Sequence, residues 1–328
     1  MEKKILNIKS PLYGRRTGQW DLKPISFKHL NLFLPKSNLE DLFKYYFVFG
    51  GIPAYLNKIN PSSSFKENIT DLIFTKGNYL NQEGNLLISY EFTETINYKL
   101  ILTAISKGYL KQKEIVDFTN LDYSLVSKYL FVLKSLSLIK EEIPITEKRS
   151  FKKRLYKIND NYLEFFYRYL NSDFTVIESS SPEELYLRYK ENINLYFGYK
   201  FEDLIKELLL NKDIFLENNY SLIGKMWGKV PFKFLKQSLS SVYEIDVVGI
   251  DNASKKILFA EVKWKKSIDA KNICKDLILK SKSVSWNNKD RKEEYLIVAK
   301  SFSKKITSFE SKKVICLDLN GISKIFKN

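Results

Sequence analysis

Apolar residues recur at helical spacing in several stretches of the first half of the chain. Residues 39–49 repeat them every three or four positions, and Gly50 and Gly51 follow, so this stretch predicts a helix that ends there. Residues 65–95 predict one or two more helices, whereas the stretch from Leu22 to Phe27 predicts a strand.

The clearest local pattern runs from residue 98 to residue 159. It predicts a helix, a short second helix, a turn at residues 119–122, a third helix at residues 123–136, and two strands around a basic loop. This order is that of a winged helix-turn-helix, whose third helix enters the DNA major groove. The residues predicted to contact nucleic acid lie on that helix and in the wing: Ser124, Ser127, Lys128, Lys148, Arg149, Lys152, Lys153 and Arg154.

The rhythm changes near residue 195, after a linker rich in Ser and Asp at residues 171–182 and a helix at residues 183–196. The following elements are predicted as one helix, three strands, one helix and two strands, at residues 199–210, 220–226, 243–250, 256–264, 271–281, 295–299 and 314–317. They predict an α/β layered domain with a mixed sheet. The chain is therefore expected to be a multidomain α+β protein.

Composition limits the kinds of chemistry. The chain has two cysteines and one histidine, so a disulfide framework, a zinc site and a histidine base are not expected, and carboxylates and lysines must do any chemistry. Lys and Arg number 54 against 38 Asp and Glu, a net charge of +16 that favours a polyanion such as nucleic acid. Abundant Lys, Ile, Asn and Tyr with scarce Gly leave open a compositional origin for part of this charge. No signal peptide or membrane span is recognised, so a cytoplasmic protein without membrane contact is expected.

Two carboxylates and one lysine lie on neighbouring predicted strands. Residues 251–254 form a turn between them, so Asp246 and Glu261 belong to the two arms of a hairpin. Because side chains alternate along a strand, Glu261 and Lys263 share a face, and Asp246 can face Glu261 across the hairpin. Carboxylate oxygens bind Mg²⁺ or Mn²⁺, and a lysine beside the metal can orient or deprotonate water and stabilise charge on a phosphate. The pattern predicts a site for metal-dependent phosphodiester hydrolysis.

The spacing of these residues resembles the signature of the PD-(D/E)XK nuclease superfamily. Asp246 is followed after fourteen residues by Glu261-Val262-Lys263, and the predicted order of elements matches the core of that superfamily. The resemblance implies Asp246 and Glu261 as metal ligands, Lys263 as the catalytic lysine, and Glu202 of the first helix as an auxiliary ligand. The proline of the signature is absent, because Glu244 and Ile245 precede Asp246.

A wider resemblance covers almost the whole chain. Residues 10–20 and residues 50–56 resemble the region that follows the nucleotide-binding core in a family of archaeal ATPases. Trp227, within residues 223–229, and the stretch from Glu244 to Lys263 resemble the last domain of that family. That family implies a helical lid-like region at 1–95, the winged helix at 96–160, a helical linker at 161–194 and a nuclease-like domain at 195–328.

The P-loop of that family is missing. In the segment from Gly224 to Lys229 the leading glycine is one residue too close, and Val230 stands where Ser or Thr would hold Mg²⁺. The chain alone is therefore not expected to hydrolyse ATP. The preferred interpretation is a DNA-binding, Mg²⁺-dependent DNA endonuclease. The alternatives are a non-catalytic relative that binds DNA or an ATPase partner through its winged helix, and a regulator that acts through that winged helix only.

Overall fold

The computed structural model describes residues 20, 22–147, 153–171, 174–214, 220–232, 234 and 240–327. The chain divides into two compact units. The first comprises residues 1–37, 44–140 and 156–189, and the second comprises residues 38–43, 141–155 and 190–328. Within the described residues, no helix has both the length and the apolar composition needed to cross a membrane.

Helices dominate the part of the chain before residue 211. A 3-10 turn at Phe27–His29 and a π-helical turn at Thr70–Phe74 accompany them. The helices are α1 (Leu30–Phe33), α2 (Leu39–Phe49), α3 (Pro53–Leu56), α4 (Phe65–Ile69), α5 (Tyr79–Glu91), α6 (Ile96–Ser106), α7 (Gln112–Thr119), α8 (Tyr123–Ser135), α9 (Asn161–Tyr169), α10 (Phe174–Ser179) and α11 (Pro182–Leu210).

Helix α9 is the centre of the first unit. Its aromatic residues are buried, and the Tyr162 hydroxyl donates to the Leu80 carbonyl at 2.6 Å and accepts from the Gly84 amide at 3.1 Å. A Cβ on Gly84 would lie 2.4 Å from the Phe166 ring, so only glycine lets α5 approach α9 this closely. The aromatic spacing of this helix therefore encodes packing in the core.

Three consecutive helices and a two-stranded sheet occupy the region predicted as a winged helix. Helices α6, α7 and α8 are followed by β1 (Ile139–Glu142) and β2 (Leu155–Ile158), which pair with each other. Val126, Leu130 and Leu133 form the buried side of α8. The order of elements agrees with the sequence prediction. That prediction places the polar residues of α8 on the side of the helix opposite to these buried residues.

A six-stranded mixed sheet forms the second unit, with the strand order β3-β4-β5-β7-β10-β9. The strands from β3 to β5 are antiparallel, β7 pairs parallel with β5 and β10, and β9 is antiparallel to β10. The elements are β3 (Leu222–Lys229), β4 (Val242–Asp251), β5 (Lys256–Lys263), β6 (Ile268–Asp269), α12 (Ala270–Ser281), β7 (Lys292–Ala299), β8 (Phe302–Lys304), β9 (Ser308–Phe309), β10 (Lys312–Asp318) and α13 (Leu319–Lys327).

Apolar residues of the sheet pack against α12. Ile257 and Phe259 of β5 and Leu277 of α12 belong to this buried cluster. Trp264, directly after β5, contacts the rings of Phe197 and Phe201 in α11. The α11 residues that follow Lys190 are thereby tied to the end of the strand that carries Glu261 and Lys263.

Two sequence predictions are wrong. The stretch from Leu22 to Phe27 is no strand, because Pro24 interrupts it, although the Ile25 amide donates to the Gly51 carbonyl at 2.8 Å. The helices predicted at 183–196 and 199–210 are one helix, α11, because Gly198 keeps helical geometry there. The short strands β6, β8 and β9 and the helix α13, which contains Gly321, were not predicted from the sequence.

Candidate active site

An irregularity in the sheet positions Asp246. Gly224 pairs with Val248 and Met226 pairs with Ile245, so Lys225 of β3 faces two residues of β4, Asp246 and Val247. A β-bulge of this kind changes the direction in which neighbouring side chains point. The apolar residues of β4 show the same break, since Ile245 and Val248 both enter the core cluster although they are three positions apart.

The Asp246 carboxylate lies between β4 and β5. Their pairing is regular up to Val247 and Ala260, and Asp246 and Glu261 are the next residues of the two strands. At that point the Val262 amide donates to Asp246 Oδ2 at 2.8 Å, so a side chain takes the place of the strand backbone as acceptor. Asp246 is 8% exposed and Glu261 is 5% exposed. Both carboxylates are therefore held inside the fold.

Lys263 joins these two carboxylates. Its Nζ lies 2.6 Å from Glu261 Oε1 and 3.5 Å from Asp246 Oδ2. Lys280 of α12 contacts both oxygens of Glu261, at 3.0 and 3.2 Å. Asp246, Glu261 and Lys263 are thus close together, as the hairpin and the alternation of side chains along β5 predict. Helix α12 adds a second ammonium group, that of Lys280.

Asp246 also belongs to a second cluster, which consists of three carboxylates. One oxygen each from Glu202, Glu244 and Asp246 lie within 4.8 Å of one another. Lys225 Nζ contacts Glu202 Oε2 at 3.0 Å and also contacts Glu244 Oε1. Helix α11 thereby brings Glu202 to the strand carboxylates, whereas Glu261 reaches Asp246 by way of Lys263 and is not part of this three-residue group.

Burial and neighbouring carboxylates raise the pKa of two carboxyl groups of the site. Burial, and then the negative charge of Asp246, raise the pKa of Glu202 to about 7. Burial and the charge of Glu261 raise the pKa of Asp246. Burial alone would lower the pKa of Lys225, but the charges of Glu202 and Glu244 outweigh it and raise the pKa above its usual value. Raised carboxyl pKa values at one place indicate that the site favours added positive charge.

The donor set suits a hard divalent cation. Carboxylate oxygens from Glu202, Glu244 and Asp246 are the ligands that Mg²⁺ and Mn²⁺ prefer. A cavity of about 250 Å³ opens beside this group, and its lining includes Glu244, Asp276 and Lys280. The cavity gives a substrate room next to the carboxylates.

Sequence reasoning missed Lys225, Glu244 and Lys280. Glu244 is two residues from Asp246, so strand alternation would have pointed to it. Lys225 lies in a predicted strand to which no site residue was assigned, and its partners come from another strand and a helix. Lys280 has no local signal, because its contact depends on how α12 packs on the sheet.

The predicted nucleic-acid residues fall into three groups. Ser124 and Lys128 are exposed on α8, whereas Ser127 accepts from Gln112 at 2.5 Å. Lys153 pairs with Glu147 at 2.5 Å, and Arg154 pairs with Glu141 at 2.9 Å. The third group lies outside the described residues: Lys148, Arg149 and Lys152.

The loop after β1 is attached to β3. The Ile145 amide donates to the Lys225 carbonyl at 3.0 Å, and the Thr146 hydroxyl donates to Met226 Sδ at 3.4 Å. Ile145 also lies against Gly224, where a Cβ would come within 3.2 Å of it. This start of the predicted wing is therefore packed on β3 within the second unit, which the sequence did not indicate.

Comparison with known proteins places the chain in a family. An uncharacterized protein of Methanocaldococcus jannaschii is 37% identical over 329 residues, which cover 98% of this chain and 70% of that protein. The chain belongs to its family. Residues 166–274 also match the DUF234 model, described as archaeal and bacterial proteins of unknown function. This DUF234 segment includes Glu202, Asp246 and Lys263, and it ends before Lys280.

A solved structure is similar over part of the chain. It is a Walker-type ATPase of Pyrococcus abyssi, with 21% identity and a TM-score of 0.35 over 50% of this chain. The chain matches about half of the length of that ATPase, 48%. A TM-score of this size does not establish a shared fold.

Proposed function

We propose that the second unit is a metal-dependent nuclease-type domain that hydrolyses phosphodiester bonds in DNA. The observation that carries this proposal is the position of Asp246. Its carboxylate lies within 4.8 Å of Glu202 and Glu244 on one side and 3.5 Å from Lys263 on the other. The element order of helix, three strands, helix and strand supports a PD-(D/E)XK-like fold.

Asp246, Glu202 and Glu244 would hold Mg²⁺ or Mn²⁺, with Glu261 as a further candidate ligand. The ion, when bound, would polarise the phosphate and stabilise the charge that develops on it. Lys263 supplies a fixed ammonium group beside Asp246 and Glu261, where it orients water and stabilises negative charge on the substrate. Because the surroundings are largely buried, these charge interactions are stronger than they would be in bulk water.

We propose DNA as the substrate because the chain has a large positive net charge and because the elements from α6 to β2 follow the order of a winged helix. The net charge of +16 favours a polyanion. Three helices followed by two paired strands support a winged helix whose recognition helix is α8, with Ser124 and Lys128 toward DNA. Among the predicted wing residues, Lys153 and Arg154 are already paired with glutamates, so α8 becomes the main candidate contact.

A second candidate function is binding of a protein, such as an ATPase subunit, through the same helix. Tyr123 and Phe131 on α8 are 60% and 68% exposed. Large exposed apolar side chains are more typical of protein-binding surfaces than of a helix that reads DNA by polar contacts. Under this alternative the second unit need not be catalytic.

A cleavage assay tests the nuclease proposal. Plasmid and linear DNA are incubated with the protein and Mg²⁺ or Mn²⁺, and the Lys263→Met and Asp246→Asn variants are run beside it. Loss of a group that stabilises transition-state charge is expected to reduce the cleavage rate by about 100-fold or more. Lys265→Met is the matched control, because the Lys265 side chain is exposed two residues further along the chain.

The expected result is metal-dependent cleavage by the wild type and by Lys265→Met, with little from the other two variants. Equal cleavage by wild type and Lys263→Met would assign the activity to a contaminant. No cleavage of any DNA with either metal would reject the nuclease proposal and favour the protein-binding alternative.

A further inference from the structure

Lys225 lies between two of the proposed metal ligands. Its ammonium nitrogen is 3.0 Å from Glu202 Oε2 and also contacts Glu244 Oε1. Only 11% of the Lys225 side chain is exposed. A buried lysine needs partners that compensate for its lost hydration, and here those partners are carboxylates of the candidate metal site.

The bulge determines which groups Lys225 meets. As the single β3 residue that faces Asp246 and Val247, it extends its side chain toward Glu244 on the adjacent strand and Glu202 on α11. Lys280 contacts Glu261, and Lys263 contacts Glu261 and Asp246. Among these three lysines, Lys225 is the one bound to Glu202 and Glu244.

We propose that Lys225 is an internal counter-ion that neutralises the metal site in the metal-free protein and competes with the metal for Glu202 and Glu244. This inference rests on the proposed function, since it requires a metal at this site. It assigns a role to a residue outside the ligand set and outside the Asp246, Glu261 and Lys263 pattern.

The competition follows from shared carboxylate groups and from charge. Lys225 binds one oxygen of Glu202 and one oxygen of Glu244, the two carboxylates that with Asp246 could hold a cation. A divalent ion placed among these carboxylates would lie near a positive charge that repels it, with little water between them. The charge of Lys225 therefore opposes metal binding between Glu202 and Glu244 and lowers the affinity for the metal.

The proposal is tested by calorimetric titration of Mn²⁺ into the wild type, Lys225→Met and Lys229→Met. Removing the competing charge is expected to tighten Mn²⁺ binding by about tenfold, the order of magnitude for a nearby charge that is partly screened. Lys229→Met is the matched control. It removes an exposed lysine of the same strand, four residues or about 13 Å from Lys225, and should bind as the wild type does.

Thermal unfolding gives a second readout. Without metal, Lys225→Met should melt at a lower temperature than the wild type, because Glu202 and Glu244 lose their partner. Added Mn²⁺ should raise its melting temperature more than it raises that of the wild type. If the metal-free Met variant does not fold, the smaller and polar change Lys225→Gln is titrated in its place, with the same expected tightening.

The outcomes separate this inference from the function on which it rests. If the wild type binds Mn²⁺ and both Lys225 variants bind it with equal or lower affinity, the counter-ion role is wrong. The metal site itself is then not contradicted. Absence of Mn²⁺ binding in the wild type and all variants overturns both. Tighter binding in Lys225→Met with an unchanged Lys229→Met supports the inference.

Discussion

Among single residues, Glu202 has a raised pKa that leads to a testable prediction. Its pKa of about 7 lies well above that of an ordinary glutamate, because of burial and of the charge on Asp246. Only the deprotonated carboxylate binds a metal. Glu202 is therefore charged above pH 7 and becomes neutral as the pH falls through 7.

This predicts that Mn²⁺ affinity falls when the pH is lowered from 8 to 6. Protonation of one ligand with a pKa near 7 is expected to weaken binding by about tenfold over that range. The measurement is calorimetric titration at both values. Glu202→Gln should bind more weakly at pH 8 and show a flatter pH dependence. A wild-type affinity that is equal at pH 6 and pH 8 contradicts the assignment of Glu202 as a ligand.

Residue types and spacing explain how much of the site was predictable. The relation of Glu261 to Lys263 follows from alternation within one strand, and Asp246 follows from the hairpin turn. Lys225 and Lys280 were not predictable in the same way. Each is one lysine among many, and its importance arises only when strands and helices distant in sequence come together.

At the scale of secondary-structure elements, the contact between α5 and α9 makes a prediction about stability. Replacing a helical glycine by alanine usually stabilises a protein, by up to about 1 kcal/mol. Gly84→Ala should do the opposite, because the new Cβ would lie 2.4 Å from the Phe166 ring. Overpacking of this kind is expected to cost about 1–3 kcal/mol in the free energy of unfolding.

Gly198→Ala in α11 is the control for this change. In the described part of the chain, no atom outside the surrounding helix backbone and chain neighbours lies within 4 Å of the position that its Cβ would occupy. This variant should be as stable as the wild type or slightly more stable in urea denaturation. If Gly84→Ala unfolds at the same urea concentration as Gly198→Ala, α5 and α9 are not packed as described.

Elements with strong periodicity were the ones that the sequence predicted well. The apolar spacing of α2 and the alternation in β4 and β5 gave bounds within one residue. The prediction for residues 22–27 failed because no strand among the described residues pairs with them, and pairing is not visible in local sequence. The linker predicted at 171–182 contains α10, a single short helical segment that its Ser-rich composition concealed.

At the scale of the whole molecule, the surplus of positive charge predicts a strong dependence of DNA binding on salt. Each phosphate contact contributes about 0.9 to the slope of log affinity against log salt concentration. Lys128 is exposed on α8, whereas Lys153 is paired with Glu147 at 2.5 Å. Lys128→Ala should therefore weaken duplex binding and reduce the slope by about 0.9, more than Lys153→Ala does.

Fluorescence anisotropy with labelled duplex DNA at several salt concentrations measures both effects. Lys229→Ala, which removes one positive charge outside the region from α6 to β2, serves as a control for net charge alone. If all three variants lose the same affinity, binding depends on overall charge rather than on α8. If none loses affinity, the exposed apolar residues of α8 favour a protein partner.

The three-residue interval between Ile245 and Val248 has a consequence for how the chemistry is encoded. If β4 continued from Val248 in strict alternation, Glu244 would turn into the apolar cluster and Ile245 would leave it. Burying an unpaired carboxylate costs several kcal/mol, so this regular arrangement is strongly disfavoured. The hydrophobic residues Ile245 and Val248 thus determine which carboxylates of β4 come together. Mutations of these two residues would therefore alter the affinity for metal, although every proposed ligand is still present.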